Sequence, residues 1–248
     1  MQINVKRRLT RRLSFNLISA ILLLFVTSQA TQATEIAIWN FNDSNLIVDH
    51  SSGVITSNIN AVNILFAAGT TNNARTGDPA GQSVSLQGGT GTANNGRHLT
   101  FSVSTLGFSN IVVSFATQGT STGFNNNQFQ YSLDGLTFVD FGPAYTPATA
   151  FGSVPLVFTL SSIAGLNDNA NAAFRIVFNG ASSATGTNRI DNFVVEGTSS
   201  APSEVPEPTT AVLLLSGLSG LYRLRKGRRA AELRTSQEGG KQSAPPLG

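Results

Sequence analysis

The sequence contains no cysteine and only two histidines in 248 residues. The lack of cysteine excludes disulfide bonds, thiolate metal sites and cysteine nucleophiles. His50 and His98 are isolated from each other, and the pattern H-E-x-x-H does not occur, so a transition-metal centre is not expected. A domain of this composition would therefore depend on its apolar core, with or without a bound ion.

Positive charge is also scarce in the middle of the chain. Residues 34–200 contain four arginines, no lysine and nine carboxylates, which leaves this part at −5. All other basic residues lie in the first 12 residues or beyond residue 222. A nucleic-acid interface needs Lys and Arg clustered on a folded face, so nucleic acid is not expected as a partner.

The first 33 residues have the pattern of a secretory signal peptide. A basic segment precedes an apolar run from Leu17 to Val26, and small residues follow. We predict cleavage after Ala30 or Ala33; the alternative is an uncleaved N-terminal anchor. The arginine pairs before the apolar run leave a twin-arginine export route as a second option.

The C-terminal part of the chain contains a second apolar run, residues 209–222. As a helix, the fifteen uncharged residues from Pro208 to Tyr222 would span about 22 Å, which is short of the ~30 Å hydrocarbon core of a bilayer. Arginines that directly follow such a run favour the cytoplasmic side, which would leave the preceding domain outside. A plain single-span anchor is one interpretation.

The order of features in residues 205–229 is similar to that of the PEP-CTERM sorting signal. A Pro-Glu-Pro sequence precedes the Leu- and Gly-rich run, and an arginine cluster follows it; these residues are Pro206, Glu207, Pro208, Arg223, Arg225, Arg228 and Arg229. The resemblance implies recognition by an exosortase at the inner membrane, cleavage near Pro206–Pro208, and transfer to the cell surface or extracellular matrix of a Gram-negative bacterium. It also implies an association with exopolysaccharide. The chain departs from the family in the polar tail, residues 230–248, that follows the arginines.

Period-two alternation of apolar residues recurs between the two ends, whereas helical periodicity does not. One example is Phe129, Tyr131 and Leu133, which precede an Asp134-Gly135 pair typical of a tight hairpin turn. The pattern predicts an all-β domain over residues 34–198, an antiparallel β-sandwich of the jelly-roll type, with one helical turn near residues 160–166 and a linker over 199–208. A β-helix is the alternative, but no fixed repeat occurs.

Three short segments of this domain, "WNFND", "QYSLDGLTF" and "RIDNFVVEG", resemble the jelly-roll domains found before PEP-CTERM signals. That resemblance implies a sandwich of the carbohydrate-binding type. Sugar binding favours exposed aromatic rings beside planar polar groups. The candidate residues are Tyr145, in a loop between two prolines, and the amides of Asn125 and Asn126, whereas Trp39 is expected in the core. The alternative for the asparagines is a polar turn entering a strand.

No cofactor is predicted, but calcium is the ion that loop carboxylates and amides favour. Asn42, Asp43 and Asp191 are the candidate ligands, because the first and last strands of a jelly roll can lie side by side. The alternative is that Asp191 and Asn192 only turn or bulge the last strand and that Asp43 caps a turn.

These observations predict an exported, exosortase-processed and non-enzymatic surface or matrix protein with exopolysaccharide as its expected ligand. A hydrolase acting on such a polysaccharide is the alternative, and it would need two carboxylates across a cleft. Ice binding is a further alternative, but it needs a regular array of threonines, and the threonines here are scattered.

Overall fold

A computed structural model describes residues 33–200. No helix within this range is long and apolar enough to cross a membrane. Residues 1–32 of the predicted signal peptide and the whole predicted sorting signal, including the hydrophobic segment 209–222, lie outside the described residues. The strands are β1 (Ala33–Trp39), β2 (His50–Ser51), β3 (Val54–Ser57), β4 (Ile64–Ala68), β5 (Gln82–Gln87), β6 (Arg97–Ser102), β7 (Phe108–Gly119), β8 (Gln128–Ser132), β9 (Val139–Asp140), β10 (Leu156–Thr159), β11 (Ala173–Phe178) and β12 (Thr187–Ser199), with short 3-10 turns at Ala61–Asn63, Thr90–Thr92 and Ala164–Leu166.

The strands form two antiparallel sheets. In sheet A, strands β10, β7, β12, β1 and β2 lie side by side in that order, and β5 and β4 continue the sheet from the first part of β12. Sheet B has the order β3, β6, β11, β8, β9. The two sheets pack into a sandwich of the jelly-roll type, which confirms the predicted fold class.

Aromatic side chains from both sheets meet in the core. The rings of Phe101 in sheet B and Phe193 in sheet A stack with centroids 3.6 Å apart, and Phe129 and Phe158 do the same at 3.9 Å. Trp39 is fully buried, as predicted, and stands edge-on to Phe101 at 5.2 Å. These contacts join the sheets through rings that alternate along their strands with outward-facing polar residues.

Strand β12 changes its partner at Asp191 and Asn192. Residues 187–190 pair with β5 and residues 193–198 pair with β1, while β7 lies along the other edge. The register with β7 shifts between Asp191 and Val194, and Asn192 has a positive φ of 48°. This β-bulge confirms the interpretation that the two residues shape the last strand.

The predicted hairpin around Asp134-Gly135 is confirmed, but the prediction of a two-residue turn is wrong. Gln130 pairs with Asp140 and Tyr131 pairs with Val139, so residues 133–138 form a wider loop between β8 and β9. The short helical turn predicted near residues 160–166 is confirmed at Ala164–Leu166.

Candidate functional site: the outer face of sheet B

Five polar side chains lie in one row across the outer face of sheet B. The pairing register puts Arg175 of β11 between Thr100 of β6 and Gln130 of β8. Strands β3 and β9 extend the row with Thr56 and Asp140. The residues before and after each position on β6, β8 and β11 turn inward, so the row faces away from the core. We call these five residues the polar row.

The guanidinium group of Arg175 lies over the ring of Phe138, with 3.4 Å between its central carbon and the ring centroid. Its Nε donates a hydrogen bond to Thr100 Oγ1 at 3.0 Å. Both Arg175 and Phe138 are half-buried, and burial lowers the pKa of the guanidinium. The cation therefore keeps its charge close to an aromatic face rather than in bulk water.

Arg175 differs from the other three arginines of residues 33–200. Arg75 forms an ion pair with Glu35 at 3.2 Å, and Arg97 and Arg189 donate to backbone carbonyl groups. Within residues 33–200, no carboxylate lies within 4 Å of Arg175. Its two terminal nitrogens therefore remain available as donors in the plane of the guanidinium.

The carboxylate of Asp140, at the other end of the polar row, is hydrogen-bonded to Gln130. The Gln130 side-chain amide donates to Asp140 Oδ1 at 2.8 Å. Because the register places Gln130 between Asp140 and Arg175, this amide separates the negative end of the row from the cation. The row thus presents a guanidinium, an amide and a carboxylate in sequence.

Asp134 fixes the loop that brings Phe138 back over Arg175. Its Oδ1 accepts hydrogen bonds from the backbone N–H groups of Thr137 (2.7 Å) and Leu136 (2.8 Å) and from the Ser132 hydroxyl (2.9 Å). These donors hold the pKa of the Asp134 carboxyl well below its usual range. The loop geometry, and with it the ring of Phe138, depends on this one side chain.

His98 lies two residues before Thr100 on the same face of β6 and is half-buried. Burial lowers the pKa of His98, and the neighbouring charges of Arg175 and Arg97 lower it further. This end of the face is therefore electropositive, although the domain as a whole carries a net negative charge.

The outer face of sheet A offers less free surface, because a long loop crosses it. The side-chain amide of Asn73 donates to Ser114 Oγ at 3.0 Å and to the Asn192 carbonyl at 2.7 Å. The loop that contains Asn73 therefore lies against β7 and β12. The outer face of sheet B is the better candidate for ligand contact.

Tyr145 does not occupy the exposed position that its loop suggested. Its ring packs towards Phe115 and Phe158, with centroids 6.2 and 6.5 Å away, and its hydroxyl is buried without a hydrogen-bond partner among the described residues. Burial raises the pKa of the Tyr145 phenol. Two backbone hydrogen bonds with Asn127 draw the segment inward, and the sequence gives no signal for this pairing.

The other two predicted glycan residues, Asn125 and Asn126, are exposed. The Asn125 carbonyl accepts a hydrogen bond from Thr146 at 2.6 Å, and the Asn126 N–H donates to the Asn179 carbonyl at 3.0 Å. Their role in glycan binding stays a prediction, at a turn that enters β8 from the side of Tyr145.

The predicted calcium ligands Asn42, Asp43 and Asp191 have separate partners. Asp43 is exposed and accepts a hydrogen bond from the Asn45 amide at 2.5 Å. Asn42 accepts a hydrogen bond from the Gln82 N–H at 3.0 Å. Between residues 33 and 200, no three His, Cys, Asp or Glu side chains come together as a metal cluster.

Asp191 is fully buried and is held by two backbone N–H groups. Thr70 donates to its Oδ2 at 2.6 Å and Asn192 donates to its Oδ1 at 2.9 Å. Burial raises the pKa of Asp191 to about 7, even though both donors favour the charged form. The carboxylate therefore anchors the loop that begins at Thr70 to the bulge of β12.

Two backbone carbonyl oxygens and the Asp191 carboxylate lie around Gly69. A Cβ atom on Gly69 would lie 2.5 Å from Asp191 Oδ2 and 2.8 Å from the Gln82 carbonyl oxygen, with the Ala80 carbonyl oxygen nearer still. One carboxylate and two carbonyl groups are the hard oxygen donors that calcium takes. The chemistry of this set fits calcium better than the predicted combination with Asp43.

One sequence pattern with catalytic associations occurs at residues 119–123, Gly-Thr-Ser-Thr-Gly. In α/β-hydrolases the G-x-S-x-G pattern forms a sharp strand-to-helix turn that exposes the serine. Here it follows β7 as a turn closed by a hydrogen bond from Gly123 N–H to the Thr120 carbonyl, and the chain continues towards β8. Ser121 therefore lacks the helix that this nucleophile arrangement requires.

No protein-family model matches the sequence, and no curated protein matches it. Solved structures of similar shape include the CBM22-1 xylan-binding domain of Xyn10C from Paenibacillus barcinonensis, with 10% identity, a TM-score of 0.42, and coverage of 69% of this chain and 99% of that one. Another is domain 4 of AbnA, a GH43 extracellular arabinanase from Geobacillus stearothermophilus, solved with arabinotriose. It has 13% identity, a TM-score of 0.39, and coverage of 68% of this chain and 94% of that one.

The K3 cleaved adhesin domain of Lys-gingipain from Porphyromonas gingivalis is a third similar structure. It has 13% identity, a TM-score of 0.43, and coverage of 66% of this chain and 99% of that one. At this level of similarity, the assignment to the jelly-roll sandwiches rests on the strand pairing described above.

Proposed function

We propose that this chain is an exported, non-enzymatic protein that binds polysaccharide through the outer face of sheet B. The observation that carries the proposal is the ring of Phe138 against the guanidinium of Arg175, with Gln130 next to Arg175 in the polar row. Polysaccharides are bound by aromatic rings that pack against the sugar and by planar side chains that hydrogen-bond its hydroxyl groups. Phe138 is half-buried, which leaves part of the side chain accessible to a sugar.

The sorting signal supports the export half of the proposal. A signal peptide and the Pro206–Pro208 sequence, apolar run and arginine cluster together would carry the domain across the inner membrane and present its tail to an exosortase. After cleavage the domain would act at the cell surface or in the extracellular matrix, where exopolysaccharide would be present as a ligand.

Binding is tested with the purified protein by affinity electrophoresis in gels that contain neutral or acidic polysaccharides. Phe138→Ala should reduce retardation in the gel about tenfold, because aromatic contacts of this kind contribute on the order of 1 kcal/mol or more. Leu136→Ala is the matched control, since Leu136 lies in the same loop and is 84% exposed. Retardation that is unchanged in Phe138→Ala would rule out this face.

The same polysaccharides, incubated with the protein and assayed for new reducing ends, test the enzymatic alternative. Turnover that depends on one of the described carboxylates would contradict the non-enzymatic proposal.

Sorting is tested by replacing Pro206, Glu207 and Pro208 with alanine in a host with an exosortase. The unaltered protein should lose its tail and leave the membrane fraction, whereas the variant should keep its full mass and stay with the membrane. Arg234→Gln, beyond the arginine cluster, is the control that should leave processing unchanged. Identical masses for all three proteins would contradict processing at this sequence.

A further inference from the structure

The half-buried cation of the polar row lacks an anionic partner among residues 33–200. Among residues 33–200, Arg175 has its Thr100 and Phe138 contacts but no ion pair, although this part of the chain has more than twice as many carboxylates as arginines. Leaving a partly desolvated charge unpaired costs free energy that an arriving anion would recover. The arrangement therefore favours a negatively charged ligand over a neutral one.

The contacts that Arg175 does make leave its binding edge free. Phe138 lies against the plane of the guanidinium and Thr100 receives the Nε hydrogen, so the two terminal nitrogens carry the remaining donors. A guanidinium held in this way presents parallel N–H groups whose geometry matches a planar carboxylate. Asp140 does not compete for them, because Gln130 holds it.

We propose that the polysaccharide bound at sheet B is acidic and that Arg175 recognises the carboxylate of a uronic acid residue. This inference rests on the proposed function and names its substrate class. The charge of Arg97 also acts at this end of the face, where it and Arg175 both lower the pKa of His98. The negative charge of the rest of the domain opposes binding only weakly, because salt at physiological concentration screens charges more than about 8 Å apart.

The first test needs no substitution. The affinity of the protein for polygalacturonate is compared, by isothermal titration calorimetry, with its affinity for the same polymer after reduction of its carboxyl groups to alcohols. We expect about tenfold tighter binding of the native polymer, as for a charge-assisted hydrogen-bond pair, and a loss of affinity as salt increases. Equal affinities would overturn the acidic class and leave polysaccharide binding intact, whereas no binding of any polymer would overturn both.

Two arginine variants locate the contact. Arg175→Gln should lose about tenfold in affinity for polygalacturonate and little for the reduced polymer, and Arg175→Lys should recover only part of the loss because lysine lacks the planar fork. Arg189→Gln is the matched control: it removes the same charge from sheet A, where Arg189 donates to the Ala68 carbonyl. Equal losses in Arg175→Gln and Arg189→Gln would overturn the assignment to Arg175.

The two histidines provide an internal spectroscopic readout, because the chain has only His50 and His98. A carboxylate bound at Arg175 should raise the pKa of His98, measured by NMR titration of its imidazole protons, and leave that of His50 unchanged. The groups that face His98 in the free protein are Arg175 on β11 and Arg97 on its own strand. No change at His98 in a saturated complex would overturn the proposed location, and tighter binding of dextran sulfate than of polygalacturonate would overturn the choice of carboxylate.

Discussion

The rings of Phe101 and Phe193 stack with an interplanar angle of only 2°, one from each sheet. Both side chains are fully buried, and Phe193 also stacks with Phe115. The contact joins β6, which carries Thr100 of the polar row, to the central strand β12 of sheet A. The stability of the outer face of sheet B is therefore coupled to the aromatic core beneath it.

Phe193→Ala should destabilise the protein by about 3–5 kcal/mol, because it removes a large ring from the centre of the core and leaves a cavity. Urea unfolding followed by tryptophan fluorescence measures this directly, since Trp39 is the only tryptophan and lies 6.0 Å from Phe193. Leu136→Ala, at the loop tip, should change the free energy of unfolding by less than about 0.5 kcal/mol. Similar effects of the two substitutions would contradict the described core.

Gly53→Ala should destabilise the protein by about 1–3 kcal/mol through overpacking. A Cβ atom at this position would lie 2.5 Å from the Trp39 ring, which is itself fixed in the core. Gly152→Ala is the control, because the atoms nearest to its added Cβ are 3.6 Å away. Thermal unfolding of the two variants should separate them clearly, and an unchanged melting temperature for Gly53→Ala would show that Trp39 lies elsewhere.

Asp134→Ala should lower the melting temperature at neutral pH and lose most of this effect in acid. The pKa of the native carboxyl is depressed, so its stabilising contribution is present above the unfolded-state value near 3.9 and is lost as the pH falls below it. The measurement is a series of melting curves of both proteins between pH 2 and 7. A difference in melting temperature that stayed constant over this range would contradict the role of the charged form.

The same substitution should also weaken polysaccharide binding at neutral pH, because Asp134 shapes the loop that carries Phe138. Asp43→Asn is the control, because it removes the charge of one exposed carboxylate outside the polar row.

Calcium should raise the melting temperature of the unaltered protein and of Asp43→Asn but not of Asp191→Asn. The reason is that Asp191, not Asp43, shares its surroundings with two backbone carbonyl oxygens, and an ion that binds only the folded state stabilises it. Melting curves in millimolar calcium and in a chelator test this. No response to calcium in any variant would leave Asp191 as the anchor of the Thr70 loop alone.

The sequence predicts those parts of the fold in which side chains alternate regularly. Strands β6, β11 and β12 follow from the alternation of their apolar residues, and β5 carries the same pattern in Val84 and Leu86. The two-residue strands β2 and β9 carry too little pattern to be recognised. The buried state of Tyr145 also has no local signal, since it depends on pairing with Asn127.

The candidate site is harder to predict than the fold. Phe138 and Arg175 are far apart in the sequence, and they meet where Asp134 accepts three hydrogen bonds within a loop wider than a two-residue turn. A two-residue Asp-Gly turn would have sent Phe138 directly into the returning strand. Arg175 is visible in the sequence, but whether a carboxylate of residues 33–200 pairs with it depends on how the strands assemble into the sheet.

Strand β12 is the last strand of the described residues, yet it is bordered by β7, β1 and β5. The three ladders that join β12 to β1, β5 and β7 therefore cannot all be complete until residue 199 has been synthesised, whereas the ladders of sheet B do not involve β12. A protease that cuts between residues 180 and 199 would remove a strand shared by three others and should unfold the protein. A cut just beyond Ser199 would leave every ladder of both sheets intact.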